Sequence, residues 1–265
     1  MMKWSTFAFL ACLFFGGLSD TLIAQAASGQ FTQVSTTDTG TESTAQTRAR
    51  IHTELGAGYY SRGQYKVALD ELQQALNADS SDAQTYGILG LVYMALHEDQ
   101  PAEKNFRRAL DLSPNQPEIH NNYGWYLCSR HQYDEAIKQF NLAIANPLYS
   151  SPQSALTNAG LCSVQAGQIE QGQAYLEKSL NLNSDQPPAQ TELAQLYYQE
   201  GRYTEASSLI STLIDKQADA KLLWLGLRIA RKTNDHNAES SDDLLLRNQF
   251  PNAPETKLLL QGKYD

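Results

Sequence analysis

Small and apolar residues recur along this chain at a period longer than any helix turn or strand alternation. Gly56, Gly90 and Gly124 stand 34 residues apart, Gly160 follows 36 residues later, and Ala194 another 34. Numbering each block so that this small residue is its eighth position aligns the neighbours. Position 4 is then His52, Tyr86, His120, Leu156 and Gln190, position 7 is Leu55, Leu89, Tyr123, Ala159 and Leu193, and position 11 is Tyr59, Tyr93, Leu127, Ser163 and Tyr197. Steps of three and four residues place these side chains on one helix face. A second set follows a turn such as Arg62-Gly63-Gln64 or Glu200-Gly201-Arg202. It comprises Ala68, Ala102, Ala136, Gly172 and Ala206 at position 20, Leu72, Phe106, Phe140, Leu176 and Ile210 at position 24, and Ala75, Ala109, Ala143, Ser179 and Leu213 at position 27. The pattern predicts an all-α chain of antiparallel helix pairs, in which small residues permit close approach and large ones fill the space beside them.

This recurrence resembles the tetratricopeptide repeat. The resemblance implies a solenoid of about six helix-turn-helix repeats in a right-handed superhelix over residues 48–260. The units run about 49–82, 83–116, 117–150, 153–186, 187–220 and 221–254, with a two-residue insertion in the loop 146–152. In the sixth unit Trp224 falls at position 4 and Leu227 at position 7, while Arg228 and Arg231 fall where a small and an apolar residue stand elsewhere. A more polar terminal repeat is what a solenoid needs at its end. A short helix is expected over 255–260, with 262–265 fraying.

The flanking sequence bears on compartment. Met1-Met2-Lys3, an apolar stretch over 4–18 and Ala24-Gln25-Ala26 predict an export signal, residues 1–26. The apolar stretch is too short for a membrane span. Cys12 is a poor lipidation site, because few residues precede it and Leu13-Phe14-Phe15 is apolar. Residues 27–47 are rich in Ser, Thr, Gly and Gln, and are expected to form a disordered leader or tether. The net charge of −9 gives no footprint for nucleic acid or for anionic lipid. Export makes disulfides permissible. Removal of Cys12 leaves Cys128 at position 12 of the third repeat and Cys162 at position 10 of the fourth, at nearly one height on neighbouring first helices. A bridge between them is the favoured reading, and two buried thiols are the alternative.

No catalytic constellation is visible. His52 and His120 occupy packing position 4, and His97 and His131 occupy position 15 in the turn. There is no H-E-x-x-H, phosphate-binding glycine loop or nucleophile elbow, and Asp242-Asp243 reads as a solvated helix end. The chain is read as no enzyme, with no cofactor, metal or small-molecule substrate. Its expected partner is a protein. By known repeat geometry, positions 2, 5, 9, 12 and 13 of the first helices face a concave groove. They include Arg50, Tyr60, Leu91, Met94, Asn121, Trp125, Leu161, Gln195 and Tyr198. Leu91, Met94 and Leu161 can equally serve as helix-to-helix packing, whereas Trp125 has the character of a binding hot spot.

Several segments carry a further resemblance, and those of the third and sixth repeats are more specific than the repeat itself. The segments are Asn121-Asn122-Tyr123-Gly124-Trp125-Tyr126-Leu127-Cys128 with Asn158-Ala159-Gly160-Leu161-Cys162, then Leu223-Trp224-Leu225-Gly226-Leu227-Arg228-Ile229-Ala230-Arg231, and residues 246–254. Together they resemble the PilW-type type IV pilus biogenesis and stability family over about 48–256. That resemblance implies a periplasm-facing protein at the outer membrane, with the pilus secretin subunit as partner, acting in secretin assembly or localisation or in fibre stability. The family is usually lipidated, and the poor site at Cys12 departs from it. The alternative is an exported repeat adaptor serving another envelope or secretion assembly.

Overall fold

The structure, a computed structural model, describes residues 43–264. The expected export signal, Cys12 and most of the expected leader lie outside the described residues. Thirteen helices follow one another, with no strand among the described residues: α1 (Thr44–Ser61), α2 (Tyr65–Ala78), α3 (Ala83–Ala95), α4 (Asp99–Leu112), α5 (Pro117–Ser129), α6 (Tyr133–Ala145), α7 (Pro152–Gln165), α8 (Ile169–Leu182), α9 (Pro187–Gln199), α10 (Tyr203–Gln217), α11 (Ala220–Thr233), α12 (His236–Gln249) and α13 (Pro254–Leu260).

Local signals set the ends of these helices. Ser43 Oγ accepts from the Gln46 amide at 3.2 Å while Gln46 Oε1 accepts from the Ser43 amide at 2.9 Å, a reciprocal cap. Helix therefore begins at Thr44, inside the stretch expected to be leader up to residue 47. Pro117, Pro152, Pro187 and Pro254 open their helices, where no intrahelical partner for the amide is lost. The turn between paired helices needs a left-handed residue. Gly63, Gly167 and Gly201 fill that place at φ 71°, 79° and 77°, and His97 and His131 fill it at φ 60°.

The solenoid has two layers. Each first helix, from α1 to α11, packs its backbone against the next first helix, whereas each second helix packs on its own partner and the following first helix, and second helices meet only through side chains, as where Tyr175 of α8 donates to Asn141 Oδ1 of α6 at 2.8 Å. The first helices thus form the crowded layer, as in other stacked-repeat architectures.

Helices within a pair meet at the small residue. A Cβ on Gly90 would lie 2.7–2.8 Å from the Phe106 ring, and one on Gly124 would lie 2.8–2.9 Å from the Phe140 ring and 3.1 Å from the Ala136 carbonyl oxygen. Gly56 over Leu72 and Gly160 over Leu176 repeat this contact. In each case the partner lies sixteen residues on, position 24 against position 8. Gly124→Leu should therefore lower the unfolding free energy by about 1–3 kcal/mol through overpacking. Gly87, whose added Cβ would meet Ile119 at an ordinary 3.5 Å, is the control. Gly87→Ala should stabilise by about 0.8–1 kcal/mol through helix propensity. Urea titration of both variants checks the pair of signs.

The same contact corrects the register of the sixth pair. A Cβ on Gly226 would lie 2.5 Å from Asp242 Oδ2, again sixteen residues on, and 2.6 Å from Ile214 Cδ1. Gly226, not Arg228, is the small residue at position 8, so the sixth unit starts two residues earlier than even counting places it. In this register Leu222, Leu225 and Ile229 take positions 4, 7 and 11, and all three are buried. Asp242 is consequently no solvated helix end: it lies inside α12 and is only 5% exposed. Asp243 accepts from Arg247 Nε at 2.6 Å. The chain end is also better held than a frayed tail. α13 packs on α11 and α12, and the Tyr264 ring stacks on Trp224 with centroids 5.8 Å apart.

Candidate partner-binding surface

All nine residues expected to face a groove lie on first helices, but their side chains do different things. On α1, Arg50 Nη1 pairs with Glu54 Oε1 at 2.7 Å, and half-buried Tyr60 lies 6.1 Å, ring to ring, from Tyr65. Leu91 and Met94 of α3 pack against the cluster built from Phe106, Tyr123, Tyr126 and Phe140. Leu161 of α7 packs against the cluster containing Leu193 and Leu196. Asn121 of α5 accepts from Asn158 Nδ2 of α7 at 3.0 Å, tying two first helices together. Gln195 of α9 is half-buried. Tyr198 lies under the Arg228 guanidinium, 4.3 Å from the ring centroid. That pairing was not legible in the uncorrected register, which left Arg228 as a misfit.

Trp125 is the exception. Among the described residues of first helices α3 to α11, it is the one large apolar side chain open to solvent, at 38% exposure. Around it the layer is held by packing and polar ties, so its ring projects from a rigid support. His52 and His120 are held by contacts within the scaffold. His120 Nε2 donates to the Pro114 carbonyl at 2.9 Å and its Nδ1 lies 2.6 Å from Gln139 Oε1, while His52 Nδ1 lies 2.7 Å from Glu71 Oε2. Cys128 of α5 and Cys162 of α7 are buried side by side with Cα atoms 5.9 Å apart, within the span a disulfide needs. No group of three or more His, Cys, Asp or Glu among the described residues is arranged to hold a metal ion, and no described helix is long and apolar enough to cross a membrane.

Models of the tetratricopeptide repeat match residues 53–117, 105–138 and 163–228. Over 203 residues the chain is 32% identical to the type IV pilus assembly protein PilF of Pseudomonas aeruginosa, spanning 76% of this chain and 81% of that one. The chain belongs to the PilF family. The solved structure of Pseudomonas aeruginosa PilF superposes with a TM-score of 0.76 at 30% identity, covering 83% of this chain and 99% of the solved chain. That of PilW, described as a widely conserved type IV pilus biogenesis factor, gives 0.71 at 31% identity, covering 80% of this chain and 98% of PilW. PilF-family proteins are non-enzymatic repeat scaffolds, and this chain is one of them.

Proposed function

We propose that this chain is a type IV pilus assembly factor that helps the outer-membrane secretin to assemble or localise, working from the periplasm after export and using its first-helix layer to hold a segment of the secretin subunit. The observation that carries the reading is the similarity to PilF along 81% of PilF's length. Trp125, exposed on an otherwise interlocked layer, is the contact residue this reading favours. In an oxidising compartment Cys128 and Cys162 form a disulfide, which holds repeats three and four together behind that contact.

Deletion of the chain should reduce assembled secretin rings and surface pili while pilin synthesis continues. Normal rings and normal piliation in the deletion strain would remove the proposal, and loss of a different secretion activity would point to another envelope assembly. Trp125→Ala should weaken recovery of the secretin from envelope extracts by about tenfold or more, the scale of a tryptophan hot spot, with an unchanged helical spectrum.

A further inference from the structure

The sixth pair differs from the other five at one buried position. Where Leu72, Phe106, Phe140, Leu176 and Ile210 fill the space over the small residue, Asp242 stands over Gly226. The residue is 5% exposed, and no described residue donates it a hydrogen bond. A largely buried carboxylate with no donor from the protein is costlier than the apolar side chains that stand at this position in the other pairs. A cleft of about 630 Å³ lies between α10, α11 and α12, and Asp242 is one of the residues that line it. Its apolar walls are Ile214, Ile229 and Leu245, and Asp215 and Asp235 add negative charge.

We propose that this cleft binds the basic side chain of a partner polypeptide, a lysine ammonium or arginine guanidinium that pairs with Asp242 while its methylene stem lies against Ile214, Ile229 and Leu245. The charge matches such a group: three carboxylates, of Asp242, Asp215 and Asp235, face a cleft whose walls mix apolar Ile214 and Leu245 with Ser211, Thr233 and Ser241. A metal ion fits poorly, because no three ligating groups converge there among the described residues. The chain's own cations nearby are engaged elsewhere. Lys216 on the cleft wall lies 3.9 Å from Asp185, and Arg231 pairs with Glu239 and covers the Tyr264 ring.

Burial pushes the Asp242 carboxyl up to about 7, with Asp215 of α10 and Asp235 of the α11–α12 turn adding to the rise. Lys216 is the opposing charge on the cleft wall, and α11 brings Gly226, Ile229, Ala230 and Thr233, none of them charged. Below that pH the arriving cation must displace a proton to solvent, so affinity falls by up to about tenfold per pH unit. The folded carboxyl holds its proton more tightly than the unfolded one. Its contribution to stability is therefore fully present below the ordinary value of 3.8 and is lost as the pH rises to about 7.

The test uses the full chain, isotope-labelled, titrated with the N-acetyl methylamides of lysine, arginine and norleucine, and with putrescine. The cationic amides should give saturable NMR shifts at Gly226, Ala230 and Asp242, stronger at about pH 8 than at about pH 6, and norleucine should give none. Asp242→Leu should abolish these shifts and raise the denaturation midpoint, more at high pH than at low. Absence of saturable shifts, equal shifts with norleucine, retained shifts in Asp242→Leu, or a lowered midpoint in that variant would each overturn the proposal. Tighter binding of putrescine than of either amide would overturn the assignment to a polypeptide. Asp242→Asn, which keeps the shape and removes the charge, is the second variant, and retained binding there would overturn the proposal equally.

Discussion

Phe106→Ala should lower the unfolding free energy by about 3–5 kcal/mol. Phe106 is fully buried, its ring lies 5.5 Å from those of both Tyr123 and Tyr126, and it fills the space over Gly90. The site cannot collapse easily after truncation. Gly90 has no side chain to advance, and the two tyrosines belong to a different helix whose own contacts hold it. The cavity and the lost ring contacts therefore add. Chemical denaturation followed by circular dichroism measures the loss. Gly90→Leu, damaging alone, should recover part of it in the Phe106→Ala background, because the new side chain occupies the vacated volume. A coupling energy near zero in that double-mutant cycle would contradict the pairing of positions 8 and 24.

The disulfide proposed between Cys128 and Cys162 should contribute about 3–4 kcal/mol, the chain-entropy value for a closed loop of this length. The two residues are 34 apart in sequence, with Cα atoms 5.9 Å apart on α5 and α7. The loop they close contains α6 and the insertion-bearing connection to α7, so the constraint acts on the part of the array with the longest link. Protein purified from the periplasm should resist alkylation until reduced, and reductant should lower its urea midpoint. A midpoint that ignores reductant, with both thiols alkylated at once after denaturation, would mean two free cysteines.

The repeat was legible because its contacts are local and identical in kind. The residue sixteen after each small one packs on it, and five of six such pairs are apolar, which periodicity registers directly. The sixth was misplaced for a physical reason. The connection from α10 to α11 is short, so counting in thirty-fours overshot Gly226 by two residues and hid the meaning of Asp242. Adjacency misled as well: Asp242 and Asp243 are neighbours in sequence but differ in surroundings, since Asp242 is buried and Asp243 pairs with Arg247 at the surface. The surface was less legible than the fold. A first helix in mid-array is packed by its partner, by the preceding second helix and by first helices on both sides. A residue such as Leu91 or Leu161 that points away from its partner therefore meets another helix as often as solvent, and only exposure in three dimensions separates Trp125 from them.

The C-terminal closure has a consequence for assembly between molecules. A stacked array ends in two unsatisfied edges, and copies that join edge to edge through both can grow into a filament without limit. Here α13 lies where the first helix of a seventh pair would pack, and Leu259 is buried there while Tyr264 covers Trp224. At the other edge, Ile51 and Leu55 of α1 remain exposed. The cap shields the core of the last pair, but Leu258 and Leu260 on its outer face stay exposed, so a second molecule arriving at this end meets that outer face and not the packing seam of the repeats.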